Sequence, residues 1–126
     1  MTKRVLDVGN CGPDHASILR FFRTHFDSVV VDQAHGLPDT LEAVRSKQYS
    51  LILVNRKLDQ DYSDGVEIIM HLKNDDDFSQ IPTMLITNYE EHQQAAVEAG
   101  ALKGFGKLEL DSVVTKQRVE AALLVD

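Results

Sequence analysis

The chain has 126 residues, 43% hydrophobic and 26% charged, a balance that suits one globular domain with a real core spanning residues 1–126. Its formal charge of −7 disfavours a nucleic-acid partner, because phosphate backbones are bound by basic surfaces. The single cysteine, Cys11, excludes an internal disulfide. Apolar runs such as Leu51 to Val54 are too short to cross a bilayer and no signal-peptide core follows Lys3 and Arg4, so no membrane partner and a cytoplasmic location are expected.

Taken in chain order, short β-branched runs alternate with helix-length stretches. Arg4 to Val8 reads as a first strand. Pro13 suits the first turn of the helix that follows, where Ile18, Phe22 and Phe26 recur every fourth residue. Val29 to Asp32 is a second strand, and Pro38 opens a second helix with Leu41 and Val44 facing inward. Leu51 to Asn55 is a third strand. Gly65 precedes a third helix striped by Val66, Ile69 and Leu72. The acidic run Asp75 to Asp77 reads as a solvated loop after it. Thr83 to Thr87 is a fourth strand. Asn88 and Glu91 have the spacing of a capping box for a fourth helix, which Gly100 is placed to end. Leu102 to Gly106 is a fifth strand, and Asp111 is placed to cap a fifth helix whose inner face includes Val114, Ala121 and Leu124.

The strands are apolar without clean alternation, as strands covered on both faces are. Five βα units imply an α/β flavodoxin-like sandwich with a parallel sheet of order 2-1-3-4-5. The functional crevice of such a sheet lies beyond the carboxyl ends of its strands. Those ends present Gly9 and Asn10, Asn55, Thr87 and Lys107.

Several stretches here resemble the receiver domains of two-component response regulators. They are Leu51 to Asn55, Ile81-Pro82 through Thr87, Gly100-Ala101, and Gly104 through Lys107, and the resemblance extends over essentially the whole chain. It implies a CheY-like module of phosphorelay signalling. In that family a carboxylate ending strand 3 accepts a phosphoryl group, an acidic pair after strand 1 helps hold Mg²⁺, and a strand-4 hydroxyl and strand-5 lysine bind phosphoryl oxygens. Thr87 and Lys107 match the last two. Asn55 stands at the phosphoacceptor position, and Gly9 and Asn10 at the acidic pair. Leu108 replaces the proline that usually follows the lysine, and Gly104 stands where a switch aromatic is common. The loop from Asn55 to Gly65, holding Asp59, Asp61 and Asp64, is longer than the family's usual spacing.

An amide is a very poor nucleophile, and Mg²⁺ is held mainly by carboxylates and phosphates. The resemblance therefore implies a pseudo-receiver: no catalytic residue, no enzyme activity, no cofactor, and Mg²⁺ binding weak or absent. It implies phosphorylation-independent contact with a protein partner, a signalling kinase or output protein, through the face of helix 4, strand 5 and helix 5. Acids restored together at positions 9, 10 and 55 are expected to recover the metal site in part.

Other readings of the crevice stay open. Lys107 and Thr87 either close it, the lysine tip on Asn55, or form an anion or small-molecule sensor site. Phosphotransfer to another acceptor is a third reading. Asp7 either leans toward the crevice, as a surrogate metal ligand like Asp59, or meets a polar group on a helix. Gly9-Asn10-Cys11 is similar to the Gly-Asn-x-Cys element of low-molecular-weight phosphatases, but the arginine which that chemistry needs is Ser17 here, so Cys11 reads as a passive thiol. His15, His25, His35, His71 and His92 lack ligand spacing and read as solvated or helix-face residues, with no metal site.

Overall fold

The computed structural model describes residues 2–124. Its elements are β1 (Lys3–Val8), α1 (Gly12–His25), β2 (Val29–Ala34), α2 (Leu37–Ser46), β3 (Leu51–Asn55), α3 (Gly65–Lys73), β4 (Thr83–Ile86), α4 (Glu90–Glu98), β5 (Leu102–Phe105) and α5 (Val113–Leu123), with a 3₁₀ turn at Lys107–Glu109. All five strands are parallel, in the order β2-β1-β3-β4-β5. This is the flavodoxin-like sandwich expected from the alternation.

Each central strand divides its side chains between two cores. Leu6, Val8, Ile52, Val54 and Leu85 pack with Ile69 and Leu72 of α3 on one face. Val5, Leu51, Leu53, Met84 and Ile86 pack with Phe21 and Phe22 of α1, Phe105 and Val119 of α5 on the other. Burying each such side chain contributes roughly 1.5–3 kcal/mol.

Several boundaries differ from the sequence reading. β2 runs on to Ala34, because Asp7↔Gln33 and Val8↔Ala34 continue the ladder with β1. Thr87 and Gly106 fall just outside their strands. Gly65 is the first residue of α3, not its predecessor, and Asp64 caps that helix by accepting from the Val66 N–H at 3.0 Å. Ile68 joins Ile69 and Leu72 on its buried face, and Val66 is only half-buried.

Asn88 does not cap α4. The cap position is Tyr89, and the Asn88 Oδ1 accepts instead from the Leu108 N–H at 3.2 Å, tying the β4–α4 loop to the residues after β5. Gly100, at φ +110°, ends α4 as its spacing suggests. At α5 the cap is Ser112, not Asp111, with the Val114 N–H donating to Ser112 Oγ at 3.1 Å.

The inner face of α5 is also corrected. Thr115, Val119, Ala122 and Leu123 are buried, whereas Val114, Ala121 and Leu124 are exposed. Apolar residues surround this helix, so periodicity alone does not choose a face. Thr115 can turn inward because its hydroxyl donates to the Glu109 carbonyl at 2.7 Å.

A bulge interrupts the β4–β5 ladder. Met84 pairs with Leu102 and Ile86 with Phe105, so Lys103 and Gly104 oppose Leu85 alone. Gln93, buried on α4, repairs the gap: its Nε2 donates to the Leu85 carbonyl at 2.9 Å, and its Oε1 accepts from the Gly104 N–H at 2.9 Å. Arg118 of α5 donates to the Gly104 carbonyl at 2.8 Å. A Cβ at Gly104 would lie 2.2 Å from the Leu85 carbonyl oxygen. Gly104→Ala should therefore destabilise the protein by about 1–3 kcal/mol in urea unfolding, because a backbone atom has to move.

Candidate functional site

The crevice at the strand ends is built from β1, the β1–α1 loop, β3 and its following loop, and the segments after β4 and β5. Asp7 is fully buried on β1 and faces α1. Its carboxylate accepts from Asn10 Nδ2 and pairs with His15 Nδ1, each at 2.6 Å. Asp7 thus meets a helix-borne polar group. Burial pushes the Asp7 carboxyl above its ordinary value, with the hydrogen bonds from His15 and Asn10 opposing that rise.

Gly9, at φ +80°, lies under Leu58, a buried residue of the β3–α3 loop. A Cβ at position 9 would stand 2.5 Å from Leu58 Cδ2. Asn10 is also fully buried; its carbonyl accepts from Gln33 Nε2 at 3.0 Å, and its Oδ1 has no partner among the described residues. The two positions matching the acidic pair are therefore filled from above by a leucine and turned inward. Acids restored at 9 and 10 would meet Leu58 and the Asp7 carboxylate, so the expectation that they would help recover a metal site is revised.

Asn55 uses its amide as a donor. Nδ2 donates to the Lys57 carbonyl at 2.7 Å and, more weakly, to the Gly9 carbonyl at 3.4 Å. A carboxylate has no hydrogen to give and would face two carbonyl oxygens. The loop that Asn55 anchors continues through a Lys57↔Asp64 bridge. His35 Nδ1 sits 2.9 Å from Asp59, Asp61 accepts from Ser63 Oγ at 2.6 Å, and Asp64 caps α3. The three loop carboxylates thus hold the loop in shape rather than gathering at the crevice.

Lys107 does not reach Asn55. Its Nζ donates to Asp14 in the first turn of α1 at 2.7 Å, which corrects the lysine-on-asparagine alternative. The Lys107 ammonium holds the Asp14 carboxyl below its ordinary value, and a longer contact from the Cys11 thiol at 3.4 Å assists. The Thr87 hydroxyl accepts from the Tyr89 N–H at 3.3 Å. Gly104 sits in the bulge already described, a place without room for an aromatic ring. Leu108 is 88% exposed.

Cys11 is exposed and precedes α1. His15 and His35 each engage a carboxylate, so they are not merely solvated; the eight-residue step from Asp7 to His15 follows no motif, and only the packing of α1 on β1 brings them together. No group of three or more metal-ligating side chains occurs among the described residues. No helix among them is long and apolar enough to cross a membrane.

With this geometry and topology the fold is that of response-regulator receivers. A candidate response regulator from Chloroflexus aurantiacus J-10-fl superposes with a TM-score of 0.84 over 99% of this chain and 100% of that one, at 17% identity. The signal receiver domain of a DNA-binding response regulator from Colwellia psychrerythraea 34H gives 0.79 over 94% and 96%, at 15% identity. A chemotaxis response regulator of Vibrio cholerae gives 0.74 over 98% and 100%, at 13% identity. No family model and no curated protein sequence matches the chain.

Two variants probe the site. Asn55→Asp should cost roughly 1–3 kcal/mol in urea unfolding at neutral pH, the penalty for stranding hydrogen-bond groups. Asp7→Asn tests the raised carboxyl. A folded pKa above the unfolded one gives a contribution that is fully present below the unfolded value and lost as pH rises through the folded value. Asp7→Asn should therefore fare best relative to the parent at neutral pH, and that relative gain should shrink on acidification below the ordinary carboxylate range. Paired unfolding curves at the two pH values check this.

Proposed function

We propose that this chain is a pseudo-receiver: a module of phosphorelay signalling that works by protein–protein contact without an aspartyl-phosphate cycle. The observation that carries the reading is Asn55, whose amide is spent as a donor to Lys57 and Gly9 where an acceptor carboxylate would need to stand free. Leu58 over Gly9 supports it, because it occupies the space an acidic pair would use. Mg²⁺ is held weakly or not at all on this reading, and the domain carries no enzyme activity of its own.

The partner face is that of α4, β5 and α5. Ten large apolar side chains are strongly exposed among the described residues, and Tyr89, Val97, Leu102, Leu108, Val113, Val114 and Leu124 make up seven of them. Such clustering on one side of a monomer is the mark of an interaction surface. The partner is a signalling kinase or an output protein, and the location is cytoplasmic. The second reading, an anion site at Thr87 and Lys107, is weaker, since Lys107 is engaged by Asp14 and the Thr87 hydroxyl by Tyr89.

Acetyl phosphate with Mg²⁺ should leave the intact mass unchanged. A stoichiometric, hydroxylamine-labile adduct on this protein would overturn the proposal. Leu108→Asp together with Val113→Asp should abolish capture of the native partner while leaving the circular dichroism spectrum and unfolding midpoint intact; capture that survives both changes would remove the assigned face.

A further inference from the structure

A cavity of about 310 Å³ lies between α1 and the segment that joins β5 to α5. Its floor is apolar: Ile18, Phe21, Ile86 and Phe105 line it, each at most 3% exposed. The Phe21 and Phe105 rings stack at 6.4 Å between centroids, with planes 29° apart. This size is at the lower end of small-ligand pockets, right for a molecule of few heavy atoms.

The rim carries charge of both signs. Lys107 and Asp14 neutralise one another at 2.7 Å and form part of the wall. Arg20, on α1, forms no ion pair among the described residues; its Nη2 makes only a long contact to Ser17 Oγ at 3.4 Å. Asp111, on the segment before α5, is exposed and makes neither an ion pair nor a side-chain hydrogen bond among the described residues. His25 completes the titratable rim. One unspent cation and one unspent anion thus border an apolar, partly aromatic floor.

We propose that this cavity binds a free α-amino acid with an apolar or aromatic side chain. Its carboxylate pairs with Arg20, its ammonium with Asp111, and its side chain lies on Phe21 and Phe105. A simple organic acid would gain Arg20 but face Asp14 and Asp111 on a chain of net charge −7. A simple amine would gain Asp111 but face Arg20 and Lys107. A zwitterion satisfies both rims and leaves the Lys107–Asp14 pair intact. Binding here stands or falls separately from the partner face and from the chemistry at Asn55.

The test is a ¹H–¹⁵N NMR titration of the whole chain with L-phenylalanine and L-leucine. 3-Phenylpropionate, which lacks the ammonium, and phenethylamine, which lacks the carboxylate, serve as comparisons. Saturable shifts are expected at Ser17, Phe21, Phe105 and Leu110 at millimolar amino acid, with each comparison compound about tenfold weaker. Arg20→Gln and Asp111→Asn should each weaken amino-acid binding about tenfold, and Ser17→Leu, which fills the cavity mouth, should abolish it. All three positions lie on the rim, so the variants keep the parent's spectrum elsewhere. The proposal is overturned if neither amino acid produces saturable shifts in this range. It is equally overturned if 3-phenylpropionate or phenethylamine binds as well, or if either charge variant binds as the parent does.

Discussion

A parallel sheet buried on both faces leaves no room for polar groups along its strands, so nearly all polar chemistry is displaced to the strand ends. In this protein β1, β3 and β4 hold a continuous apolar sheet interior, and the exceptions are informative. Asp7 is the one ionisable side chain buried within a strand, and it is tolerated only because Asn10 and His15 supply two hydrogen bonds to its carboxylate. The position of α1 over β1 depends on that contact as well as on Phe21 and Phe22, so a polar pair and an aromatic cluster set the same helix from its two ends.

Beyond the strand ends, the crevice is organised to consume its own polar groups. The Asn55 amide, the Lys107 ammonium, the Thr87 hydroxyl and the loop carboxylates each have a partner within the chain. The β3–α3 loop is what makes this possible. Its length lets Leu58 fold back over Gly9, and the positive φ of Gly9 keeps the backbone low enough to receive it. Pairing the groups internally stabilises the loop and removes the open carboxylate cluster that a divalent cation needs.

The other half of the molecule is held by Gln93. One buried amide spans α4, β4 and β5, and Arg118 ties α5 to the same glycine. The four elements behind the exposed apolar residues are therefore joined by hydrogen bonds rather than by packing alone. A surface mounted on such a unit is preorganised, which lowers the ordering cost of meeting a partner.

The alternation of β-branched runs with amphipathic stretches was sufficient to read five βα units, the parallel sheet and its strand order, because two-sided burial writes itself into sequence as continuous apolar strands. The residues at the strand ends, Gly9, Asn10, Asn55, Thr87 and Lys107, were legible for the same reason: topology dictates where a strand must stop. What those residues do was decided by tertiary structure. Lys107 could have reached Asn55 or Asp14, and only the placement of α1 selects Asp14. Asn88 had the spacing of a cap, but the approach of Gly106 and Leu108 drew its side chain to the β5 loop. On α5, apolar residues on all sides left the buried face open until Thr115 found the Glu109 carbonyl. Local patterns determine which segments form, because they act within a few residues; hydrogen-bond partners tens of residues apart are chosen by packing, and no local pattern records that choice.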